Sequence, residues 1–152
     1  HSMYIEEELY NNIKLVMPIP CVDLVVVNNK EEVLMLKRGN EPAKGLWWFP
    51  GGRVHHNEYR KDAASRKLKE ECGLSSISLT ELGTYDLMFN IDSVEKWESH
   101  GITTVFKMRI MESDIELDQQ SINYDWRTAE AWLPDCSNNF TTTILKRIIN
   151  AK

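Results

Sequence analysis

The 152-residue chain has few cysteines, no basic tract and no long apolar run. Its longest apolar stretch, from Ile19 to Val27, contains Pro20 and Asp23 and falls well short of membrane-spanning length. The residues before this stretch do not have the pattern expected of a signal peptide. The formal net charge of −5 argues against DNA or RNA as the main partner, because duplex binding requires a cationic face. These absences lead us to expect a soluble, cytoplasmic protein whose partner is a small molecule.

The three cysteines, Cys21, Cys72 and Cys136, are far apart and form no CxxC pair. This spacing argues against a zinc site and against a disulfide framework. His1 and Ser2 look like a remnant of recombinant expression, with Met3 as the natural start. The remaining residues 3–152 are expected to form one globular domain, because 42% apolar residues suffice for a core.

Apolar periodicity and turn-forming residues predict an alternation of strands and helices. Helices are expected over 4–16, 58–72 and 142–149, with a helical turn over 128–133. Strands are expected over 21–27, 32–36, 47–49, 76–87, 102–110 and 122–126, with a polar loop over 90–101. Asn57 and Gly73 are the expected N-cap and C-cap of the second helix. The predicted fold class is α+β, with helices packed on a mixed sheet.

Residues 51–74 contain the strongest chemical signal in the chain. The glycine pair Gly51 and Gly52 permits a tight turn and exposes carbonyl oxygens, which a hard divalent cation binds together with carboxylates. Glu70 and Glu71 fall near the C-terminal end of a helix, where two negative charges require a compensating cation. These residues alone leave two interpretations open, a magnesium site or a solvated helix face in which Arg66 pairs with Glu70.

The spacing of the whole stretch resembles the Nudix box, a loop–helix–loop motif of the Nudix hydrolases. Eight of its nine defined positions agree, namely Gly52, Glu58, Arg66, Leu68, Glu70, Glu71, Gly73 and Leu74. The resemblance implies a Nudix fold, which is an αβα sandwich around a mixed sheet. It also implies hydrolysis of a nucleoside diphosphate linked to another moiety, with Mg²⁺ or Mn²⁺ as cofactor. The residues matching Glu70 and Glu71 lie at the metal site in the family, and the pair matching Glu58 and Arg66 braces the loop against the helix.

Lys67 is the one departure from the box, because the family has a glutamate directly after the arginine. Only two acidic residues remain in this part of the motif, so we expect one Mg²⁺ instead of two or three. Two interpretations of Lys67 stay open. Its side chain either extends into solvent or acts as an internal counter-charge that substitutes for a second metal ion.

The chain is similar to the GDP-mannose mannosyl hydrolases within this family. The similarity extends over residues 3–74 and resumes around Gln120 and Tyr124, and it includes the following residues: Pro18, Asp23, Lys37, Arg38, Asn40, Pro42, Ala43, Gly45, Trp47 and Arg53. By this resemblance, Arg38 and Arg53 would contact the diphosphate. Glu71, Gln120 and the backbone carbonyl of Gly52 would bind Mg²⁺.

Ser121 is a second departure, because the mannosyl hydrolases have a catalytic histidine directly after the residue matching Gln120. Serine cannot accept a proton at neutral pH without a partner. Attack on the sugar carbon and attack on phosphorus therefore both stay open. The predicted loop offers replacement bases, of which His100 has the most suitable intrinsic pKa. The others are Asp92, Glu95 and Glu98, while His55 and His56 in the box are expected to face water.

Several further residues are candidates for substrate binding. Asp23 lies in an apolar strand, so it either faces outward or has a donor or a metal nearby. Trp47, Trp48 and Trp97 offer surfaces for stacking a base or a sugar, and Trp47 matches the subgroup. Tyr124 and Trp126 share one strand face.

The expected partner is a nucleotide or nucleotide-sugar, most specifically an NDP-sugar of the GDP-mannose type. The alternatives are a nucleoside triphosphate or ADP-ribose pyrophosphohydrolase and a non-catalytic nucleotide-binding domain. The N-terminal helix matches a segment that supports dimerisation in the subgroup, which suggests a homodimer.

Overall fold

The computed structural model describes residues 4–39, 44–90, 98–111, 114–118 and 121–151. Its helices are α1 (Glu7–Val16), α2 (Arg60–Cys72), α3 (Ala129–Trp132) and α4 (Asn139–Asn150), with a 3₁₀ turn at Leu133–Asp135. Its strands are β1 (Ile19–Val27), β2 (Val33–Arg38), β3 (Trp47–Trp48), β4 (Gly51–Arg53), β5 (Ser78–Asn90), β6 (Glu98–Arg109) and β7 (Ser121–Arg127). None of these helices has the length and apolar character needed to span a membrane.

The described strands form one mixed sheet with β1 near its middle. The main order is β3-β2-β1-β6-β5, while β4 pairs with β1 and β7 pairs with β2. β1 and β6 are parallel, and the other pairs are antiparallel. The predicted α+β class with a mixed sheet is therefore confirmed.

Alternate residues of β1 face two separate apolar cores, as the pleat of a strand requires. Val22, Leu24 and Val26 pack on the side of α2, with Leu68 among their neighbours. Val25 and Val27 lie on the opposite side, with α3 and α4. The sheet thus lies between α2 on one face and α3 and α4 on the other, which is the predicted αβα sandwich. This arrangement fixes the position of α2, and with it the glutamates near its C-terminal end.

The two ends of α2 test the predicted caps. The helix begins at Arg60 with Tyr59 in the N-cap position, so the prediction that Asn57 caps it is wrong. Asn57 has a φ of 63° and lies in the preceding turn, because asparagine tolerates this left-handed conformation better than most residues. The C-cap prediction is confirmed: Gly73 has a φ of 70°, and its N–H donates to the carbonyls of Leu68 and Lys69.

The hairpin of β5 and β6 is longer than predicted. β6 begins at Glu98, so the last part of the expected loop over 90–101 is strand, and His100 pairs with Met88. The polar composition of this segment suggested a loop, but its backbone is satisfied by pairing with β5. Asp92, Glu95 and Trp97 lie outside the described residues, as do Asn40, Pro42, Ala43 and Gln120.

Candidate active site

A cleft of about 340 Å³ is lined by residues of α1, of β1 and β4, and of the start of β6. Four basic residues are among those that line it, namely Lys14, Arg38, Arg53 and Lys67. Asp23, Trp48, Gly51, Gly52 and His100 also line it, together with Tyr10 and Cys21. The cleft therefore brings residues singled out in the sequence from six elements, β1, β2, β3, β4, α2 and β6, into one site.

The glycine pair allows β4 to lie directly against its neighbours. A Cβ atom on Gly51 would lie 2.3 Å from the carbonyl oxygen of Val22, a contact that no side chain can make. A Cβ atom on Gly52 would lie 2.5 Å from Cε of Lys67. Glycine at these positions thus permits the close approach of β4 to β1 and of α2 to β4.

Glu71 is the buried carboxylate of the Nudix-box segment. Its Oε2 atom accepts a hydrogen bond of 2.7 Å from the backbone N–H of Gly51, which connects α2 to β4. Gly51 and Gly52 are strand residues paired with β1, so the tight turn expected at this glycine pair is wrong. Burial raises the pKa of Glu71 to about 7, against the opposing effects of the Lys67 charge and the Gly51 hydrogen bond. A carboxylate in this environment gains from any cation that can approach it.

Glu70 takes part in a network of ion pairs that is centred on Arg66. The Nη1 atom of Arg66 donates to Oε2 of Glu70 at 3.0 Å, while its Nε donates to Oε2 of Glu58 at 2.8 Å. Arg66 also donates from Nη2 to the carbonyl oxygen of Arg53 at 2.9 Å. The loop after β4 is thereby held against α2, as the resemblance to the Nudix box implied for Glu58 and Arg66.

Lys67 does not extend into solvent, so that interpretation of this residue is wrong. Its side chain is only 17% exposed, and its Nζ atom lies 3.4 Å from Oε2 of Glu70 and 4.0 Å from Oε1 of Glu71. The aliphatic part of the side chain lies against Gly52. Lys67 is therefore an internal counter-charge for both glutamates, as the second interpretation requires, while its substitution for a second metal ion stays a prediction.

Asp23 faces the interior of the protein, so the outward-facing interpretation is wrong. Its Oδ2 atom accepts a hydrogen bond of 2.5 Å from Oγ1 of Thr103 on the neighbouring strand β6. Burial raises the pKa of Asp23 to about 7, against the hydrogen bonds from Thr103 and Trp48 and the charge of Arg38. Asp23 therefore has the nearby donors that the sequence argument required, and it lines the cleft at the same time.

The two predicted diphosphate ligands, Arg38 and Arg53, both line the cleft. Arg38 is the last residue of β2, and its register partner on β7 is Ser121. The guanidinium carbon of Arg53 lies 5.6 Å from the ring centroid of Tyr10 on α1, which is a cation–π distance. Ser121, which takes the place of the expected histidine, therefore lies beside one of the two arginines.

His100 lines the cleft from β6. Its Nε2 atom is buried and has no hydrogen-bond partner in the described part of the chain. Because an unpaired buried nitrogen is costly, this atom gains from a ligand group or a water molecule in the cleft. The position of His100 in a strand instead of a loop also fixes its backbone.

The structure distinguishes the two adjacent tryptophans of β3. Trp47 packs against Trp132, with ring centroids 5.1 Å apart, while Trp48 lines the cleft. Both tryptophans pack in the same apolar core, where Trp48 is 6% exposed and stacks on Phe140 with ring centroids 5.7 Å apart. Trp47, preferred from the sequence as a substrate ligand, is not among the residues that line the cleft, and its role in binding stays a prediction. Tyr124 is 39% exposed on β7 and is not among the cleft-lining residues described above. Tyr10 and Lys14 line the cleft but were not predicted; the polar face of α1 was their only sequence signal.

Comparison with known proteins agrees with this geometry. The family model described as NUDIX domain matches residues 17–137, which is most of the chain. The chain belongs to the Nudix family. The sequence-based prediction of a Nudix hydrolase is confirmed at this level.

One relative of this Nudix chain is the low-salt glycan biosynthesis protein Agl8 of Haloferax volcanii. It is 36% identical over 105 residues, which cover 68% of this chain and 67% of that protein. The MutT protein of Methanosarcina mazei Go1 superposes with a TM-score of 0.71 at 24% identity, covering 90% of this chain and 96% of the other. The NUDIX domain of Shewanella oneidensis NrtR, solved with ADP ribose, gives a TM-score of 0.71 at 18% identity, covering 97% and 99%. These two structures support the fold.

The donor set of this Nudix domain suits one hard divalent cation. Glu71 is a buried carboxylate whose nearest cation, Lys67, is 4.0 Å away, and the backbone carbonyl of Gly52 is an oxygen ligand of the kind Mg²⁺ accepts. No group of three or more acidic, histidine or cysteine side chains able to hold a metal occurs among the described residues. Glu71 and the Gly52 carbonyl are therefore the described oxygen ligands that such an ion could use.

Proposed function

We propose that this Nudix domain hydrolyses a nucleoside diphosphate linked to a sugar, of the GDP-mannose type, with Mg²⁺ or alternatively Mn²⁺. The observation that carries the proposal is the convergence of Arg38 and Arg53 on one cleft that also contains Gly52 and lies beside Glu71. A diphosphate requires fixed cationic donors, and guanidinium groups meet phosphate oxygens in a bidentate manner. The two arginines come from different strands, so they can contact both phosphates of one substrate.

Glu71, Glu70 and the carbonyl of Gly52 would hold the metal ion, and Gln120 is proposed to contribute a further oxygen. When bound, the ion would neutralise charge on the diphosphate and polarise the bond that breaks. Arg38 and Arg53 would stabilise the charge that develops on the leaving nucleotide, because fixed guanidinium groups need no rearrangement during the reaction. Trp48 is proposed to form an apolar wall of the cleft, since its ring is only 6% exposed and stacks on Phe140.

His100 is the proposed general base. It is the histidine that lines the cleft in the described part of the chain, and its Nε2 atom has no protein hydrogen bond to lose. In this role the imidazole accepts a proton from the attacking water, which raises the nucleophilicity of the water oxygen. The proposal for His100 rests on this position.

The name of the archaeal relative, a glycan biosynthesis protein, supports a sugar-containing substrate. Ser121, which takes the place of the expected histidine, favours a second candidate reaction, in which water attacks phosphorus and splits the NDP-sugar into a nucleoside monophosphate and a sugar phosphate. Nucleoside triphosphates and ADP-ribose are substrates of that second candidate. A domain that binds nucleotides without turnover is the remaining alternative.

A homodimer is proposed as the assembled form. α1 has no buried residues, and its apolar residues Leu9, Leu15 and Val16 are exposed in the single chain. A second copy of the chain would cover this surface. Light scattering at micromolar concentration should give twice the mass of one chain, and a mass of one chain would reject the dimer.

Incubation with Mg²⁺ in ¹⁸O-labelled water tests the proposed reaction. The substrates are GDP-mannose, other NDP-sugars, nucleoside triphosphates and ADP-ribose, and the products are identified by mass spectrometry. Label in the released sugar indicates attack on carbon, and label in a phosphate indicates attack on phosphorus. Tight binding of a nucleotide without turnover of any substrate would reject the enzymatic function.

A further inference from the structure

Lys67 lies between the cleft and the two glutamates of α2. Lys67 is among the residues that line the cleft, whereas Glu71 lies behind it, buried and hydrogen-bonded to Gly51. The ammonium group is within 4.0 Å of a carboxylate oxygen of each glutamate. A divalent ion that joins these carboxylates to a diphosphate in the cleft would therefore approach the same place as the ammonium group.

We propose that the ammonium group of Lys67 is a resident cation of the metal site that competes with divalent ions and limits the site to one of them. This inference rests on the proposed function, because it concerns the metal ion of that reaction. On this proposal, the charge of one side chain sets the number of divalent ions that this Nudix domain binds.

Electrostatic repulsion between the cations and the packing of the Lys67 side chain both support competition between Lys67 and a divalent ion. A monovalent and a divalent cation a few ångströms apart repel each other strongly in a partly buried site, since interior screening is weaker than in water. The glycine at position 52 provides the space for the lysine, because a Cβ there would collide with Cε of Lys67. Lys67 is thus held over the carboxylates by packing as well as by charge.

The same arrangement balances the charge of the metal-free protein. Glu70 and Glu71 lie in the last turn of α2, where the helix dipole disfavours negative charge. Lys67 offsets this cost in the absence of metal. Removal of divalent ions should therefore have little effect on the folding stability of the natural chain, and a larger effect once Lys67 is replaced.

Binding of Mn²⁺ in the absence of substrate tests the inference, with free Mn²⁺ measured by electron paramagnetic resonance. The variants are Lys67→Met, which removes the charge, and Lys67→Glu, which adds a third carboxylate. Lys69→Met and Lys69→Glu are matched controls on the same helix, because Lys69 is exposed and its Nζ contacts the carbonyl of Gly73. Circular dichroism checks that each variant is folded.

We expect the natural chain and both Lys69 variants to bind one Mn²⁺ with similar affinity. Lys67→Met should bind one ion about tenfold more tightly or better, and Lys67→Glu should bind a second ion. Equal stoichiometry and affinity in all five proteins would overturn the inference. The binding measurement does not depend on turnover, so a negative binding result would leave the proposed reaction standing. A lack of turnover would likewise not affect the binding measurement.

A second measurement uses the natural protein, so its result does not depend on the folding of a variant. Lysine side chains of the natural protein are labelled by ¹³C reductive methylation and followed by NMR during titration with Mg²⁺. The Lys67 signal should shift as the ion displaces its ammonium from the glutamates, while the Lys69 signal stays in place. Unchanged Lys67 and Lys69 signals at saturating Mg²⁺ would contradict displacement.

Discussion

The backbone N–H of Gly51 donates a 2.7 Å hydrogen bond to Oε2 of Glu71, and this contact connects strand β4 at the cleft to the helix of the Nudix box. It holds a buried carboxylate directly behind the cleft. The carboxylate, the glycine pair of β4 and the two cleft arginines together form the site proposed for diphosphate hydrolysis. The following predictions test separate parts of that site.

Arg66→Met should destabilise the fold by about 2 kcal/mol, because three acceptors lose a charged donor at once. The acceptors are Glu58, Glu70 and the carbonyl of Arg53. Urea unfolding followed by circular dichroism measures the change. Lys69→Met, on the same helix, is the control and should alter stability little. Equal stabilities of the two variants would show that the network does not brace the loop.

Asp23→Asn should flatten the pH dependence of stability. Burial raises the pKa of Asp23 to about 7, above its value in the unfolded chain. The folded state therefore binds the proton more tightly, and stability falls as pH rises from about 4 to about 7. The loss of unfolding free energy between about pH 5 and about pH 8 should be smaller in Asp23→Asn by about 1 kcal/mol or more. The same loss in both proteins would contradict an ionising, buried Asp23.

Arg53→Met should lower kcat/KM for the proposed NDP-sugar by about a hundredfold, because a cationic donor to the diphosphate is removed. Arg53→Lys should recover only part of this loss, since lysine cannot form the bidentate contact. Steady-state kinetics on purified variants gives the comparison. Arg109→Met is the control, because Arg109 pairs with Glu31 on the surface. A kcat/KM for Arg53→Met equal to that of this control would exclude Arg53 from the site.

His100→Gln should lower kcat by about a hundredfold or more if the proton of the attacking water passes to this residue. KM should change less than kcat, because the proposed role is in the chemical step. His56→Gln is the matched control within the Nudix box, at an exposed position. A kcat within a few-fold of the natural chain in both variants would require another base.

The sequence was sufficient to predict the fold class and the Nudix-box contacts because both depend on local spacing. The box places Glu58 and Arg66 at a fixed separation in the chain, and their ion pair forms as expected. The sequence could not show which of Trp47 and Trp48 lines the cleft. Both are aromatic, and the surroundings of a residue on a short strand depend on the elements packed around it. The orientation of Lys67 was also undetermined, because it depends on the space above Gly52, which belongs to another element.

The most direct test of the account is the turnover of Glu71→Gln. Glutamine keeps the shape of the side chain and an oxygen that can accept the Gly51 hydrogen bond, so the fold is expected to survive, and circular dichroism verifies this. We predict a fall in kcat of about a thousandfold on the substrate that the natural chain hydrolyses with Mg²⁺. Glu81→Gln, on the exposed strand β5, should retain full activity. A kcat for Glu71→Gln within a few-fold of the natural chain would contradict the placement of the catalytic centre at this carboxylate.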